Sequence, residues 1–146
     1  MTLDPSSGAV RAFFVYGTLM RGECNHAVAA LHGLESVRAG WVLGALFDTG
    51  AGYPAMRPAA DDSRVQGEVL VPQDLEAAMR EMDELEGYSG DGADDNLYER
   101  RLIEVTLDGG GTCVAWTYVY AQELPVQARI ASGSWRQWRG AGRASG

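Results

Sequence analysis

The stretch from Tyr98 to Tyr120 contains two strand-like segments on either side of a four-residue turn. The two segments, 98–107 and 112–120, are rich in β-branched and aromatic residues, and Asp108-Gly109-Gly110-Gly111 lies between them. A glycine-rich turn between two such segments is typical of a β-hairpin, because glycine adopts the positive φ angles of tight turns. The pattern therefore requires antiparallel pairing in the second half of the chain.

The rest of the chain predicts more strands than helices. Strands are expected at residues 11–16, 37–47, 53–57 and 65–71, and helices at residues 23–33 and 72–86. Gly40 and Gly44 predict bends or a bulge within the second of these strands. Because most strands follow one another without a helical crossover, antiparallel or mixed pairing is favoured. We expect an α+β domain with a curled sheet or small β-barrel, and an aromatic tail at 130–138 that packs on it.

The 146 residues match the size of one ordinary domain. We assign residues 11–140 to it and expect 1–10 and 141–146, which are rich in Gly, Ser and Ala, to be flexible ends. No stretch approaches the roughly 20 apolar residues of a membrane span. The N-terminus lacks the basic-then-apolar pattern of a secretory signal, so a cytoplasmic location is the default expectation. The sequence carries no signal for an oligomeric state.

The charged residues exclude several classes of function. The net charge is −8, with 20 acidic residues and 12 arginines, and lysine is absent. An acidic surface repels the phosphate backbone, so we expect no nucleic-acid partner. Schiff-base chemistry on a lysine is excluded. Two cysteines, Cys24 and Cys113, are too few for a disulfide framework or a zinc cluster.

The predicted helix at 72–86 carries one carboxylate on its apolar side. Pro72 suits its start and Gly87 its end. At about 100° per residue, Glu86 falls within the apolar stripe, whereas Asp83 and Glu84 are expected on the solvated face. The stripe consists of Leu75, Ala78, Met79, Met82 and Leu85. Burial and the negative end of the helix dipole both disfavour an ionised Glu86, which predicts a raised pKa and a suitable proton shuttle.

The turn after the first strand is a candidate anion-binding loop. Gly17 allows the backbone to turn sharply after Tyr16 or to approach a ligand closely. The successive N–H groups of Thr18, Leu19 and Met20 can then form a concavity that binds a substrate carboxylate without a lysine.

Four short motifs resemble those of the gamma-glutamylcyclotransferase-like superfamily, in order along residues 13–138. Residues 14–19, Phe-Val-Tyr-Gly-Thr-Leu, resemble its Tyr-Gly-Ser/Thr-Leu motif, and residues 82–88, Met-Asp-Glu-Leu-Glu-Gly-Tyr, its Leu-Asp-x-x-Glu-Gly segment. Residues 53–55, Tyr-Pro-Ala, and residues 98–100, Tyr-Glu-Arg, are similar to segments of the branch that contains gamma-glutamylamine cyclotransferases, and Gly133-Ser134-Trp135 fits that branch's tail.

The resemblance implies a compact mixed barrel flanked by helices and a pocket between the residue 16–19 loop and Glu86. It implies a cofactor-independent enzyme in which the α-amine of a gamma-glutamyl compound attacks its own γ-carbonyl, releasing 5-oxoproline and an amine. Glu86 is then the general acid/base, and Tyr16, Gly17, Thr18, Leu19, Tyr53 and Tyr98 form the substrate site. Tyr98 is a candidate hydrogen-bond donor to Glu86. The acidic insertion at 89–96 departs from the family pattern and is a candidate lid.

Other interpretations remain open at this point. The same fold can bind a small amino-acid-like ligand without turnover. Cys24 with His26 or His32 would form a cysteine hydrolase, but residues two apart point to different sides of a helix. A metal site at Cys24, His26 and His32 matches no strong ligand spacing. Trp135 and Trp138, three residues apart, would suit an interaction surface or core packing equally.

Overall fold

The computed structural model describes residues 10–59, 62–90, 96–124 and 128–139. Along these residues the order of elements is one strand, one helix, four strands, one helix and three strands. The strands are β1 (Phe13–Val15), β2 (Leu34–Leu43), β3 (Ala45–Asp48), β4 (Pro54–Arg57), β5 (Arg64–Pro72), β6 (Tyr98–Leu107), β7 (Thr112–Tyr120) and β8 (Arg129–Ile130). The helices are α1 (His26–Ala30) and α2 (Leu75–Leu85), and residues 135–139 are also helical.

Five strands close into a barrel in the order β1-β5-β2-β6-β7. Every neighbouring pair is antiparallel except β1 and β7, which pair in parallel and close the barrel where Phe13 meets Trp116. The predicted α+β fold with a small mixed barrel and flanking helices is therefore confirmed. The β6–β7 hairpin has the predicted bounds, and its turn closes through a 2.9 Å bond from the Leu107 amide to the Gly111 carbonyl.

Two facing glycines let the strands approach closely where the barrel bends. Gly40 of β2 lies opposite Gly67 of β5, and Gly40 also pairs with Leu107 of β6. A Cβ on Gly40 would lie 2.8 Å from the Thr106 carbonyl oxygen, and a Cβ on Gly67 would overlap the Val15 carbonyl oxygen. Only glycine fits at these two crossings.

A second sheet, in the order β4-β3-β8, extends the barrel. The chain passes from β2 into β3 at Gly44, where the sequence predicted a bend, so the expected strand 37–47 belongs to two sheets. β8 joins β3 by pairing Ile130 with Leu46, and Trp135 is buried at 3% exposure. The tail thus packs on the body, as predicted.

Both predicted helices are shorter than expected. Pro72 is the last residue of β5 and lies opposite Leu34, because the β2–β5 ladder continues as far as this pair. Proline has no backbone N–H to donate, and the end of a strand tolerates this loss. α2 instead starts after Asp74, whose carboxylate accepts the Ala77 amide at 3.1 Å. α1 covers only 26–30, because residues 17–25 form turns.

The core fills the barrel and the space under α2. Its fully buried large side chains are Phe13, Phe14, Val42, Leu46, Met56, Val65, Leu70, Met82, Val105 and Ile130. α2 contributes Met82 from its apolar stripe, and this fixes which face of the helix lies against the barrel. Among the described residues, no helix is long and apolar enough to cross a membrane.

Candidate active site

The end of α2 fixes the direction of Glu86. Glu86 is the C-cap residue, and Gly87 follows with φ of 65°. The Gly87 amide donates to the Glu84 carbonyl at 3.3 Å and the Tyr88 amide to the Asp83 carbonyl at 2.9 Å. This pair of bonds is the Schellman motif, which ends a helix at a residue in the left-handed conformation. The motif turns the chain away immediately after Glu86, so its side chain stays on the barrel side.

Glu86 lines a cavity of about 340 Å³ at one end of the barrel. Desolvation raises the pKa of its carboxyl to about 7, from 4.5 in water. No described residue donates a hydrogen bond to this carboxyl or forms an ion pair with it. The inward orientation and the raised pKa that the sequence predicted are both confirmed. A carboxyl that titrates near neutrality and has no hydrogen-bond partner in the described part of the chain is suited to exchanging protons with a ligand.

The loop after β1 lines the same cavity. Tyr16, Gly17, Thr18 and Leu19 all contribute to its wall. A Cβ on Gly17 would lie 2.5 Å from Cγ of Pro54, so glycine is required where this loop crosses the start of β4. The structure therefore brings the predicted loop and Glu86 into one cavity, although they are about 70 residues apart in sequence.

Two of the three predicted amide donors have no acceptor in the part of the chain that the structure describes. The Thr18 and Leu19 amides donate to no acceptor among the described residues. The Met20 amide, by contrast, donates to the Gly17 carbonyl at 3.1 Å, so its predicted role in anion binding is wrong. The bond of the Met20 amide closes the tight turn that contains the other two.

Asn25 braces this loop and was missed by sequence reasoning. Its amide donates to the Thr18 carbonyl at 2.8 Å, and its side-chain Nδ2 donates to Thr18 Oγ1 at 3.0 Å. It also lines the cavity. The predicted helix at 23–33 included Asn25, whereas the observed α1 begins after it, and Asn25 makes no side-chain cap bond.

The cavity contains four tyrosines, of which three have hydroxyls bound to protein. Tyr16 donates to the Tyr118 carbonyl at 2.6 Å, and Tyr98 donates to the Pro54 carbonyl at 2.5 Å. The predicted hydrogen bond from Tyr98 to Glu86 is therefore wrong, because the Tyr98 hydroxyl donates to the Pro54 carbonyl instead. Tyr53 lines the cavity, and its hydroxyl has no partner among the described residues. Burial raises the pKa of Tyr16, Tyr98 and Tyr118, so these hydroxyls stay neutral.

Asp83 is not on the solvated face that the helical wheel predicted. Its carboxylate accepts the Tyr118 hydroxyl at 2.6 Å and pairs with Arg100, and its side chain is only 23% exposed. Tyr118 was also missed, because only the β6–β7 register places it opposite Arg100. Glu84 is exposed, as predicted.

The residues of the rival interpretations lie outside this cavity. Cys24 is exposed, the His26 ring contacts the Leu19 carbonyl at 2.9 Å, and His32 lies 3.8 Å from Glu81. The described residues hold no cluster of three metal-ligating side chains. Trp135 is buried, and the Trp138 indole donates to Asp48 at 2.8 Å.

The predicted lid at 89–96 lies largely outside the described residues, which resume at Asn96. The two ends of this insertion are tied together, because Asn96 Oδ1 accepts the Ser89 amide at 2.7 Å and its Nδ2 donates to the Gly90 carbonyl at 2.7 Å. Asn96 is almost fully buried, so the insertion begins and ends at one fixed point.

Comparison with known proteins identifies the family of the chain. Residues 13–137 match the family described as "Gamma-glutamyl cyclotransferase, AIG2-like". The chain is 38% identical over 126 residues to "Gamma-L-glutamyl-butirosin B gamma-glutamyl cyclotransferase" of Niallia circulans, covering 86% of this chain and 76% of that protein.

Solved structures share the fold. YkqA from Bacillus subtilis superposes with a TM-score of 0.67 at 25% identity; the match covers 92% of this chain but only 42% of that longer one. An AIG2-like protein from Mus musculus superposes with a TM-score of 0.58 at 26% identity, covering 79% of this chain and 80% of that one.

Proposed function

This chain is an enzyme that belongs to the AIG2-like gamma-glutamyl cyclotransferase family, and we propose that it releases 5-oxoproline from gamma-glutamyl amides with Glu86 as general acid/base. The α-amine of the gamma-glutamyl group attacks its own γ-carbonyl, a five-membered lactam forms, and the attached amine leaves. The nucleophile and the electrophile belong to one molecule. The enzyme therefore has to fold the substrate into attack geometry, which can supply up to about 7–11 kcal/mol of the barrier.

One observation carries this proposal: a carboxyl with a pKa of about 7 and no protein partner among the described residues lies in the same cavity as two unpaired backbone amides. The cavity volume of about 340 Å³ suits a small metabolite. Glu86 is the only charged residue in its wall among those described, so a substrate anion has to be held by N–H groups rather than by a cation.

Glu86 relays the protons in this mechanism. Ionised Glu86 accepts a proton from the α-ammonium, and the resulting amine attacks the γ-carbonyl carbon. As the carbon–nitrogen bond to the leaving amine breaks, protonated Glu86 gives a proton to the departing nitrogen. The attacking nitrogen loses two protons in all and the departing nitrogen gains two, so the carboxyl ends the cycle as it began. A pKa near neutrality makes both directions of transfer accessible.

The loop amides hold the negative charge of the substrate. Thr18 and Leu19 are positioned to bind either the α-carboxylate or the oxyanion that develops on the γ-carbonyl. The Tyr53 hydroxyl, which has no partner among the described residues, is a further donor for the substrate. Tyr16 and Tyr98 shape the wall, because their hydroxyls are already engaged by backbone carbonyls.

A screen of gamma-glutamyl compounds tests the proposal through 5-oxoproline release. It should include gamma-glutamyl amides of amino acids and of polyamines, and gamma-L-glutamyl-butirosin B, because the relative from N. circulans is named for that compound. Glu86→Gln keeps the shape of the side chain and removes the titrating group, so we expect its rate to fall by about 100- to 10,000-fold.

The melting temperature of the variant shows whether it is folded, and its binding of 5-oxoproline shows whether the cavity is intact. Release of product at the wild-type rate by Glu86→Gln would refute the role of this residue. Wild-type protein that is stabilised by gamma-glutamyl compounds but releases no product from any of them would indicate a binding module instead.

A further inference from the structure

The carboxyl of Glu86 has no side-chain anchor of its own. No described residue donates a hydrogen bond to it, so its position in the cavity depends on the backbone that carries it. That backbone is the last turn of α2, where the Glu86 amide donates to the Met82 carbonyl at 2.9 Å. Whatever fixes this turn to the barrel therefore also fixes the carboxyl.

Asp83 ties the last turn of α2 together and also to the barrel. Its backbone carbonyl accepts the Tyr88 amide at 2.9 Å, which completes the Schellman turn around Glu86. Its Oδ1 accepts the Tyr118 hydroxyl at 2.6 Å, and its Oδ2 pairs with Arg100. Hydrogen bonds to a charged group are stronger than neutral ones, so these two bonds of the Asp83 carboxylate hold the end of α2 strongly on the barrel.

Both side-chain partners of Asp83 belong to the β6–β7 hairpin of the barrel. Arg100 and Tyr118 face each other in the β6–β7 ladder, and the Arg100 guanidinium lies 4.9 Å from the Tyr88 ring and 5.4 Å from the Trp116 ring. Tyr118 is buried, and its carbonyl accepts the Tyr16 hydroxyl. One cluster thus connects the end of α2, the hairpin and the start of the residue 16–19 loop.

We infer that Asp83 is a positioning residue, which holds the end of α2 on Tyr118 and Arg100 and thereby sets where the Glu86 carboxyl lies relative to the residue 16–19 loop. Asp83 does not line the cavity, so it acts through Glu86 rather than on the substrate. The inference takes from the proposed function only the role of Glu86 as acid/base.

The matched pair of variants is Asp83→Ala and Glu84→Ala. The two residues are adjacent, carry the same charge and lie on the same helix, but Glu84 is exposed and its side chain forms no hydrogen bond or ion pair with the described residues. We expect kcat of Asp83→Ala to fall on the order of 100-fold with KM nearly unchanged, because misplacing a reacting group by about 1 Å costs this much. Glu84→Ala should match the wild type.

The second readout needs no substrate. Titration of the Glu86 side chain by NMR in ligand-free protein should give a pKa of about 7 in the wild type. A loosened turn admits water to the carboxyl, so Asp83→Ala should lower that pKa toward 4.5, whereas Glu84→Ala should not. The titratable groups around Glu86 are Tyr16, Tyr53, Tyr98 and Tyr118, and their hydroxyls are neutral in this range because burial raises their pKa.

Tyr118→Phe separates positioning from electrostatics. It removes the Tyr118 bond to Asp83 but leaves the Asp83–Arg100 pair, the Asp83 charge and the Tyr118 carbonyl in place, so a lowered Glu86 pKa in this variant comes from a loosened anchor rather than from a lost charge. It also tests the inference if Asp83→Ala fails to fold. A wild-type Glu86 pKa in Tyr118→Phe and in any folded Asp83→Ala would overturn the inference. If the wild type released no product, the proposed function would be refuted. The Glu86 titration would still test the positioning role of Asp83, because it needs no substrate.

Discussion

At the scale of single residues, the site depends on what surrounds one carboxyl. Desolvation raises the pKa of the Glu86 carboxyl to about 7, because no ion pair or hydrogen bond among the described residues stabilises its ionised form. Burial makes Glu86 a useful proton carrier, but it also destabilises the folded state whenever the carboxyl is ionised. Activity and stability therefore oppose each other at this residue.

The pH dependence of stability checks this balance without any substrate. Above about pH 7, Glu86 is ionised in both states, and the folded state bears the full cost of burying the charge. Below 4.5 it is protonated in both states and the cost vanishes. We expect Glu86→Gln to gain up to about 3 kcal/mol of unfolding free energy relative to wild type as pH rises from 4.5 to 7.

Urea denaturation at several pH values measures this difference. Titration of other groups cancels in the comparison, because only residue 86 differs between the two proteins. A constant difference between variant and wild type across this range would mean that the Glu86 carboxyl is solvated, contrary to the structure.

At the scale of elements, α2 is defined by its two ends. Asp74 caps the first turn, and Gly87, with φ of 65°, ends the helix so that Glu86 remains on the barrel side. A Cβ on Gly87 would lie 3.2 Å from the Leu97 Cβ, so the neighbouring chain also limits this position. The helix terminus is thus a part of the site.

Gly87→Ala should affect both stability and activity. A left-handed conformation costs a non-glycine residue about 1–2 kcal/mol, and relieving it would rotate Glu86 away from the cavity. Gly109→Ala is the matched control, because Gly109 also has positive φ and a Cβ there would meet nothing within 4 Å. Both variants should lose stability in urea denaturation, but only Gly87→Ala should lose cyclotransferase rate. Equal rates in the two variants would contradict the role of this turn.

At the scale of the whole molecule, the C-terminal tail fastens the loop that carries the site. The Gln66 amide donates to the Gly133 carbonyl at 2.8 Å, which anchors the tail on β5. Arg136 reaches buried Glu68 at 3.4 Å and also pairs with Glu23, and the Arg21 amide donates to Glu68 at 2.6 Å. One buried carboxylate thus joins the barrel, the tail and the loop after β1.

Arg136→Ala should weaken this junction. Glu68 is only 8% exposed in its side chain, so removing its cation leaves a buried acceptor less satisfied, at about 1–3 kcal/mol. Arg11→Ala removes an arginine from the exposed pair with Glu35, where both side chains are about half exposed, and should cost about 0–1 kcal/mol. The midpoints of urea denaturation, compared with that of the wild type, measure the loss of stability in each variant. Similar losses for the two variants would show that the tail junction contributes no more than a surface pair.

The sequence by itself determined the features that depend on local geometry. The hairpin around residues 108–111 follows from turn chemistry and alternation, and both strand bounds were predicted. The inward direction of Glu86 follows from helical periodicity, which relates residues within one element. The motifs that resemble the family, from residue 14 to residue 135, also identified the family that the comparison confirmed.

Only the tertiary structure decided which groups the individual side chains contact. Asp83 has the helical angle of a solvated residue, yet its carboxylate accepts the hydroxyl of Tyr118 from a distant strand. The Tyr98 hydroxyl donates a hydrogen bond to the Pro54 carbonyl, 44 residues away. Pro72 ends a strand because β2 pairs with it, whatever its helix-starting preference. Periodicity gives a direction from a helix or strand axis, but closure of the barrel sets which groups lie along that direction, and closure depends on all five strands together.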